Sequence, residues 1–434
     1  MSYIKFFFKL FINVVQKFNL NKKRFIFSTI GSLMVAFSIP FVLFPFITSE
    51  ISLEEVGKLG VMLSIINFIS NVITSSINQN LYRYHAELEV IHRSKLLKEI
   101  FVLNLILSAV AFLLLISLYP IFSNFFNLDK PYFWGLSIIS YSFFLSIGWN
   151  FQVILSLDLK FEKIFIGQFF LFLLGPIALL IYFFVNKNLW FVSFFISSFF
   201  YFLVLFIFVF QNNKDIFREK IEFKNVFSHI PETVKWAIAG IFHNISLYAD
   251  RWLLSIFTSN FVLIGIYNIM IQMLTFSFMI FDQLERVLTP IVSNLKDDFL
   301  SVKSDTYNSI KFLSPLVCIF FYLFFINLIP FVLSIFYDES IYLDGETIFN
   351  ILMISTIFYP LQIISRGFLI RFMKIDLSLK INFVGVFFMI IVPILYILFG
   401  QNIDINFISF LRMLSISSMG FLAFFIVFFY NKKI

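Results

Sequence analysis

Long apolar runs separated by short polar clusters recur along the whole chain. A helix needs about 20 apolar residues to cross the roughly 30 Å hydrocarbon core of a bilayer. By that measure the pattern predicts twelve spans, at 25–47, 56–80, 99–120, 133–156, 164–185, 189–210, 233–257, 261–281, 312–336, 347–369, 381–399 and 404–430. The runs are far longer than the ~9–11 alternating residues of a membrane barrel strand. The expected class is therefore an all-α integral membrane protein. The predicted hairpins at 186–188, 258–260 and 400–403 are so short that the helices they join must be antiparallel neighbours.

The polar interruptions also carry an orientation. With the N-terminus inside, 27 of the 32 Lys and Arg fall on the inner side. Only Lys58, Lys130 and Lys187 fall outside, and Arg251 and Arg412 lie within spans. Positive residues collect on the cytoplasmic side of membrane proteins, so both termini are expected in the cytoplasm. The outer loops are acidic, with Glu50, Glu54, Glu55, Asp338, Glu339, Asp344 and Glu346. Residues 1–24 mix six basic residues with Phe6, Phe7, Phe8, Phe11 and Phe18, and Lys9 and Lys17 break the continuous apolar region that a signal peptide needs. They read as a basic amphipathic segment on the inner leaflet.

The longest internal polar stretch, 211–232, divides a half at 25–210 from a half at 233–434, each with six predicted spans. Thr48-Ser49-Glu50 with Gly57 is echoed by Thr258-Ser259-Asn260 with Gly265. Phe165-Ile166-Gly167 is echoed by Phe383-Val384-Gly385, and Pro176 by Pro393. Both halves begin inside, so the repeat is parallel, as in transporters that rock between two faces of the membrane.

Composition narrows the class further. The 434 residues are 60% apolar, 21% aromatic and 13% charged, with 69 Phe. Soluble domains average about 45–50% apolar and about 25% charged. A soluble enzyme, a disordered chain, a disulfide scaffold and a nucleic-acid binder are excluded. The net charge of +7 reports basic inner loops. A single Cys, Cys318, permits no internal disulfide, and four His without a Cys/His cluster give no metal site. There is no Walker A sequence, no Ser/His/Asp or paired-carboxylate constellation and no long outer loop. The expectation is a transporter without cofactor rather than an enzyme.

An ionisable residue inside a span costs about 2.5–3.5 kcal/mol even on lenient insertion scales, so it marks candidate chemistry. Asp250 and Arg251 share a sector of the seventh span with Gly240, His243, Asn244 and Leu247. Two readings stand: the pair ties helices together, or Arg251 lines an aqueous cavity and attracts an anion. Arg412, about eight residues from the outer end of the last span, either snorkels outward or joins that cavity. Arg83, Arg286, Arg366 and Arg371 lie near inner helix ends, as topology charges or as a phosphate-binding ring. Asn71, Gln152, Gln168, Asn268 and Gln272, with Trp149, serve interhelical hydrogen bonding or carbohydrate contact.

The segment Asn244–Gln272, NISLYADRWLLSIFTSNFVLIGIYNIMIQ, resembles spans seven and eight of bacterial polysaccharide-unit flippases, the O-antigen and exopolysaccharide exporters of the MOP superfamily. The shared features are Asp250-Arg251, a short hairpin and Gly265-Ile266-Tyr267. Thr48–Arg83 looks like the first hairpin and second span of that family; Phe399-Gly400-Gln401-Asn402-Ile403-Asp404 departs from its Gly-rich last hairpin. The resemblance implies a MATE-like fold in the bacterial cytoplasmic (inner) membrane. It implies flipping of undecaprenyl-pyrophosphate-linked oligosaccharide to the outer leaflet for O-antigen, capsule or exopolysaccharide synthesis. Membrane lipids, a proton or cation counter-ion and polysaccharide assembly proteins are the implied partners. Arg251 would contact pyrophosphate, with Arg412, Arg366, Arg83, Arg286 and Asn244 around it and Asp250 or His243 as the coupling group. A multidrug cation exporter of the same superfamily, a lipid II flippase and a membrane glycan polymerase or ligase are the alternatives.

Overall fold

The structure is a computed structural model. It describes residues 30, 31, 34, 45 and 52–430, apart from 88–89, 127, 129, 159, 186–188, 213–221, 259, 294–304, 338 and 372–374. The basic segment 1–24, nearly all of the first predicted span, the Thr48-Ser49-Glu50 turn, the hairpin at 186–188 and much of the linker 211–232 lie outside the described residues.

Within them the chain is helical and no strand occurs. The first half contributes α1 (Leu53–Glu87), α2 (Val90–Phe125), α3 (Tyr132–Leu157), α4 (Phe161–Val185) and α5 (Val192–Asn212). A short helix, α6 (Phe223–Ser228), forms at the end of the linker and packs on α2. The second half contributes α7 (Ile230–Thr258), α8 (Phe261–Ser293), α9 (Asp305–Phe336), α10 (Glu339–Met353) and α11 (Ser355–Arg371). It closes with α12 (Ile375–Leu398) and α13 (Ile405–Phe425).

Among the described residues nine helices are long and apolar enough to span a membrane, or ten when α10 and α11, bent by 41°, are taken as one. α7 is not one of the nine, because His243, Asn244, Asp250 and Arg251 lower its apolar content. Irregularities have local causes. A π turn at Phe387–Ile391 inside α12 ends two residues before Pro393, whose ring cannot continue the regular hydrogen-bond ladder.

In the first half α3 packs on α5, α2 and α1, and α4 packs on α5. In the second, α11 and α13 pair, α8 lies on α11 and α7 on α12. A ladder of polar pairs ties α1 to α3: Ser70 to Ser142 (2.5 Å), Thr74 to Ser146, and Asn150 Nδ2 to Asn78 Oδ1 (3.2 Å). Each rung is one helical turn beyond the last.

The seam between halves is α1 against α7 and α8. Gly57 and Gly265 bring α1 and α8 into backbone contact near their first turns. A Cβ on Gly57 would lie 2.1 Å from the Phe261 carbonyl oxygen, and one on Gly265 would lie 2.2 Å from that of Leu53. These are the two glycines that the sequence repeat equates. Along α7 the seam is hydrogen-bonded from Trp252 Nε1 to Ser64 (2.8 Å), Asn71 Nδ2 to Tyr248 (2.7 Å) and Asn80 Nδ2 to Thr233 (2.8 Å). At the same end as the glycines, Lys130 forms an ion pair with Glu55.

Candidate functional site

Between the halves lies a cavity of about 380 Å³. Its depth runs from Arg251 and Arg412 to Tyr82, Phe161, Asp282 and Arg366, toward the end that carries most of the Lys and Arg. At the opposite end the Gly57–Gly265 contact holds the helices together.

α7 supplies the polar face that periodicity predicts. Asp250 is fully buried. Its Oδ2 accepts the Tyr267 hydroxyl at 2.7 Å and the Arg412 guanidinium, and its Oδ1 accepts the backbone N–H of Arg251 at 2.9 Å. Arg412 also donates to the Leu247 carbonyl at 2.6 Å. It therefore points into the bundle, across to α7, instead of snorkelling outward. The paired Asp250 does not line the cavity and lies behind its wall.

Arg251 does line it. Its guanidinium lies 5.9 Å from the centre of the Tyr248 ring, and its Nε has no hydrogen-bond partner although the residue is only 5% exposed. Asp250 therefore pairs with the Arg412 guanidinium and meets Arg251 only through its backbone N–H. A guanidinium presents five donors in a planar fork, so the wall has donors and positive charge beyond what Asp250 neutralises. Arg366 and His243 line the same wall toward the Lys/Arg-rich end. Asn244 lines it too, with its Nδ2 turned back to the Gly240 carbonyl at 2.8 Å. The structure thus gathers Arg251, Arg412, Arg366, His243 and Asn244 around one space. The side chains of Arg83 and Arg286 lie outside the described residues.

Among the charged lining residues, one was not anticipated. Asp282 accepts the Tyr359 hydroxyl at 2.9 Å, and Tyr359 stacks on Phe278 at 3.9 Å. It falls one residue beyond the predicted span 261–281, yet α8 continues to Ser293. The signal was its spacing: Thr275, Phe278, Met279 and Asp282 follow the i, i+3, i+4, i+7 rhythm of one helix face. Of the other polar residues, Asn71 and Gln152 line the cavity, and Asn268 packs against Gly60 at the seam.

A family model described as polysaccharide biosynthesis protein matches residues 51–342. No curated protein matches the chain in sequence. Among solved structures, the eukaryotic MATE transporter AtDTX14 superposes with a TM-score of 0.70 at 12% identity, over 94% of this chain and 96% of that one. The inward-facing conformation of a multidrug resistance MATE family transporter of the MOP superfamily gives 0.64 at 11%, over 92% and 93%. The bent form of the Vibrio cholerae MATE transporter VcmN gives 0.64 at 13%, over 95% and 96%. The fold is that of MATE transporters.

Proposed function

The chain belongs to that family of polysaccharide biosynthesis proteins, and from this premise we propose that it is a flippase. Its substrate is an undecaprenyl-pyrophosphate-linked oligosaccharide, carried from the inner to the outer leaflet of the bacterial cytoplasmic membrane. The observation that carries this reading is Arg251, a buried arginine with an unpartnered Nε that lines a cavity between two helical halves.

The barrier to flipping is the passage of a pyrophosphate and a hydrated sugar through hydrocarbon, while the polyprenyl tail is at home in lipid. A polar, cationic cavity removes that barrier. Arg251 and Arg412 supply fork-shaped donors suited to phosphate oxygens. Arg366, nearer the cytoplasmic mouth, draws the headgroup in, and Arg83 and Arg286, which the sequence sets near inner helix ends, assist it in this reading. The halves 25–210 and 233–434 rock about the α1–α8 contact, which keeps the outer end shut in this inward-open form. A coupling ion must reach its carboxylate from water. Asp282 and His243, which face the cavity, therefore take the coupling role in place of the enclosed Asp250.

A multidrug cation exporter would present acid to its substrate. This cavity has three arginines against one aspartate. The test uses proteoliposomes holding a fluorescent undecaprenyl-pyrophosphate oligosaccharide, with an impermeant glycosidase outside. Protein-dependent acceleration of cleavage is the expected result; no acceleration at any imposed pH step would remove the flippase reading.

A further inference from the structure

The two walls of the cavity differ in chemistry. The second-half wall carries every charged lining group, Arg251, Arg412, Arg366 and Asp282, together with His243. The first-half wall carries none. It presents amides and hydroxyls from α1 and α3, chiefly Ser75, Asn78, Gln79, Gln152 and Ser156, beside the half-buried ring of Trp149.

These neutral groups are held in place. Gln152 accepts the Tyr201 hydroxyl at 2.7 Å through its Oε1, and Asn78 accepts the Asn150 amide at 3.2 Å. Two are unspent. Gln79 Oε1 and Ser75 Oγ are buried and have no hydrogen-bond partner, and Gln79 is only 7% exposed. A buried polar atom without a partner is expensive unless a ligand or water completes it. The wall thus offers mixed donors and acceptors without charge, next to an indole face. That matches a sugar, whose hydroxyls both donate and accept and whose C–H face packs on aromatic rings. It does not match a pyrophosphate, which only accepts.

We infer that the substrate lies across the cavity with its pyrophosphate on the second-half wall and its glycan on the α1–α3 wall, so that Gln79, Ser75 and Trp149 determine which glycan is carried. This rests on the flippase reading and adds to it a division of labour between the halves. In the inward-open form the sugar is read before the halves rock.

The test measures equilibrium binding to the full-length protein in lipid nanodiscs with two probes: bare undecaprenyl pyrophosphate, and the same lipid carrying chitotriose. The wild type is expected to bind the glycan-bearing lipid more tightly. Gln79→Leu, Ser75→Ala and Trp149→Leu should each erase most of that difference while leaving the bare lipid unchanged. Arg251→Gln should weaken both probes alike, by about tenfold for one charged hydrogen bond. First-half variants that weaken both probes equally, or a glycan that adds no affinity, would overturn the division of labour. Failure of the bare lipid to bind would instead remove the pyrophosphate reading itself. A thermal unfolding midpoint for each variant separates loss of a contact from loss of the fold.

Discussion

Arg412 on α13 reaches the Asp250 carboxylate on α7, 162 residues away in the chain, and both side chains are almost wholly buried. The bond locks two helices of the second half together directly behind the cavity wall. Removing one partner of a buried ion pair leaves the other charge uncompensated, at about 3–5 kcal/mol. Asp250→Ala and Arg412→Ala should each lower the thermal unfolding midpoint markedly, and Asp250→Leu/Arg412→Leu should recover much of the loss. Equal stability of wild type and single variants in a detergent melt would contradict the clamp.

Arg251 has a different expectation, because its side chain is not clamped. Arg251→Ala should fold and insert normally yet flip the lipid-linked oligosaccharide at least about tenfold more slowly, the loss of a charged hydrogen bond of roughly 1.5–3 kcal/mol. Arg251→Lys should recover only part, since an ammonium cannot make the fork. Glycosidase protection in proteoliposomes, normalised to inserted protein, reads this directly.

At the outer end, Gly265→Ala would place a methyl group 2.2 Å from the Leu53 carbonyl oxygen. The helices must part, so the variant should favour the outward-open form. In a Cys318→Ser background, a cysteine introduced at the buried Ser64 should react slowly with an impermeant thiol reagent added outside, and faster once Gly265→Ala is present. Unaltered reactivity would show that the contact does not close the outer gate.

The coupling role of Asp282 predicts a separation of two activities. Asp282→Asn should abolish acceleration of flipping by an imposed pH step but retain the equilibration seen without a gradient. Asp250→Asn should act through stability instead. Retained acceleration in Asp282→Asn would remove Asp282 from the coupling role and leave His243.

The helical class and the arginines that line the cavity were legible because membrane helices announce themselves by length and polar residues within them by rarity. Arg251 was legible for that reason. The fate of Arg412 was not: snorkelling and pairing place the same residue at the same depth, and only the approach of α13 to α7 decides between them. Asp282 was missed because a hydropathy boundary ends where polarity rises, whereas the helix continues through it. The neutral wall was harder still, since single Asn, Gln and Ser residues on α1 and α3 take on meaning only once their helices face one cavity.

The rungs between α1 and α3 bind two helices of one half, while the three bonds Ser64–Trp252, Asn71–Tyr248 and Asn80–Thr233 cross to the other half. Hydrogen bonds between membrane helices average only about 0.6 kcal/mol. The three crossing bonds together therefore hold the two halves to each other by roughly 2 kcal/mol, a factor of about 30. That is a latch weak enough for one bound substrate to release. Because α1 is keyed to α3, whatever releases it sets the glycan-facing wall in motion as a single plate.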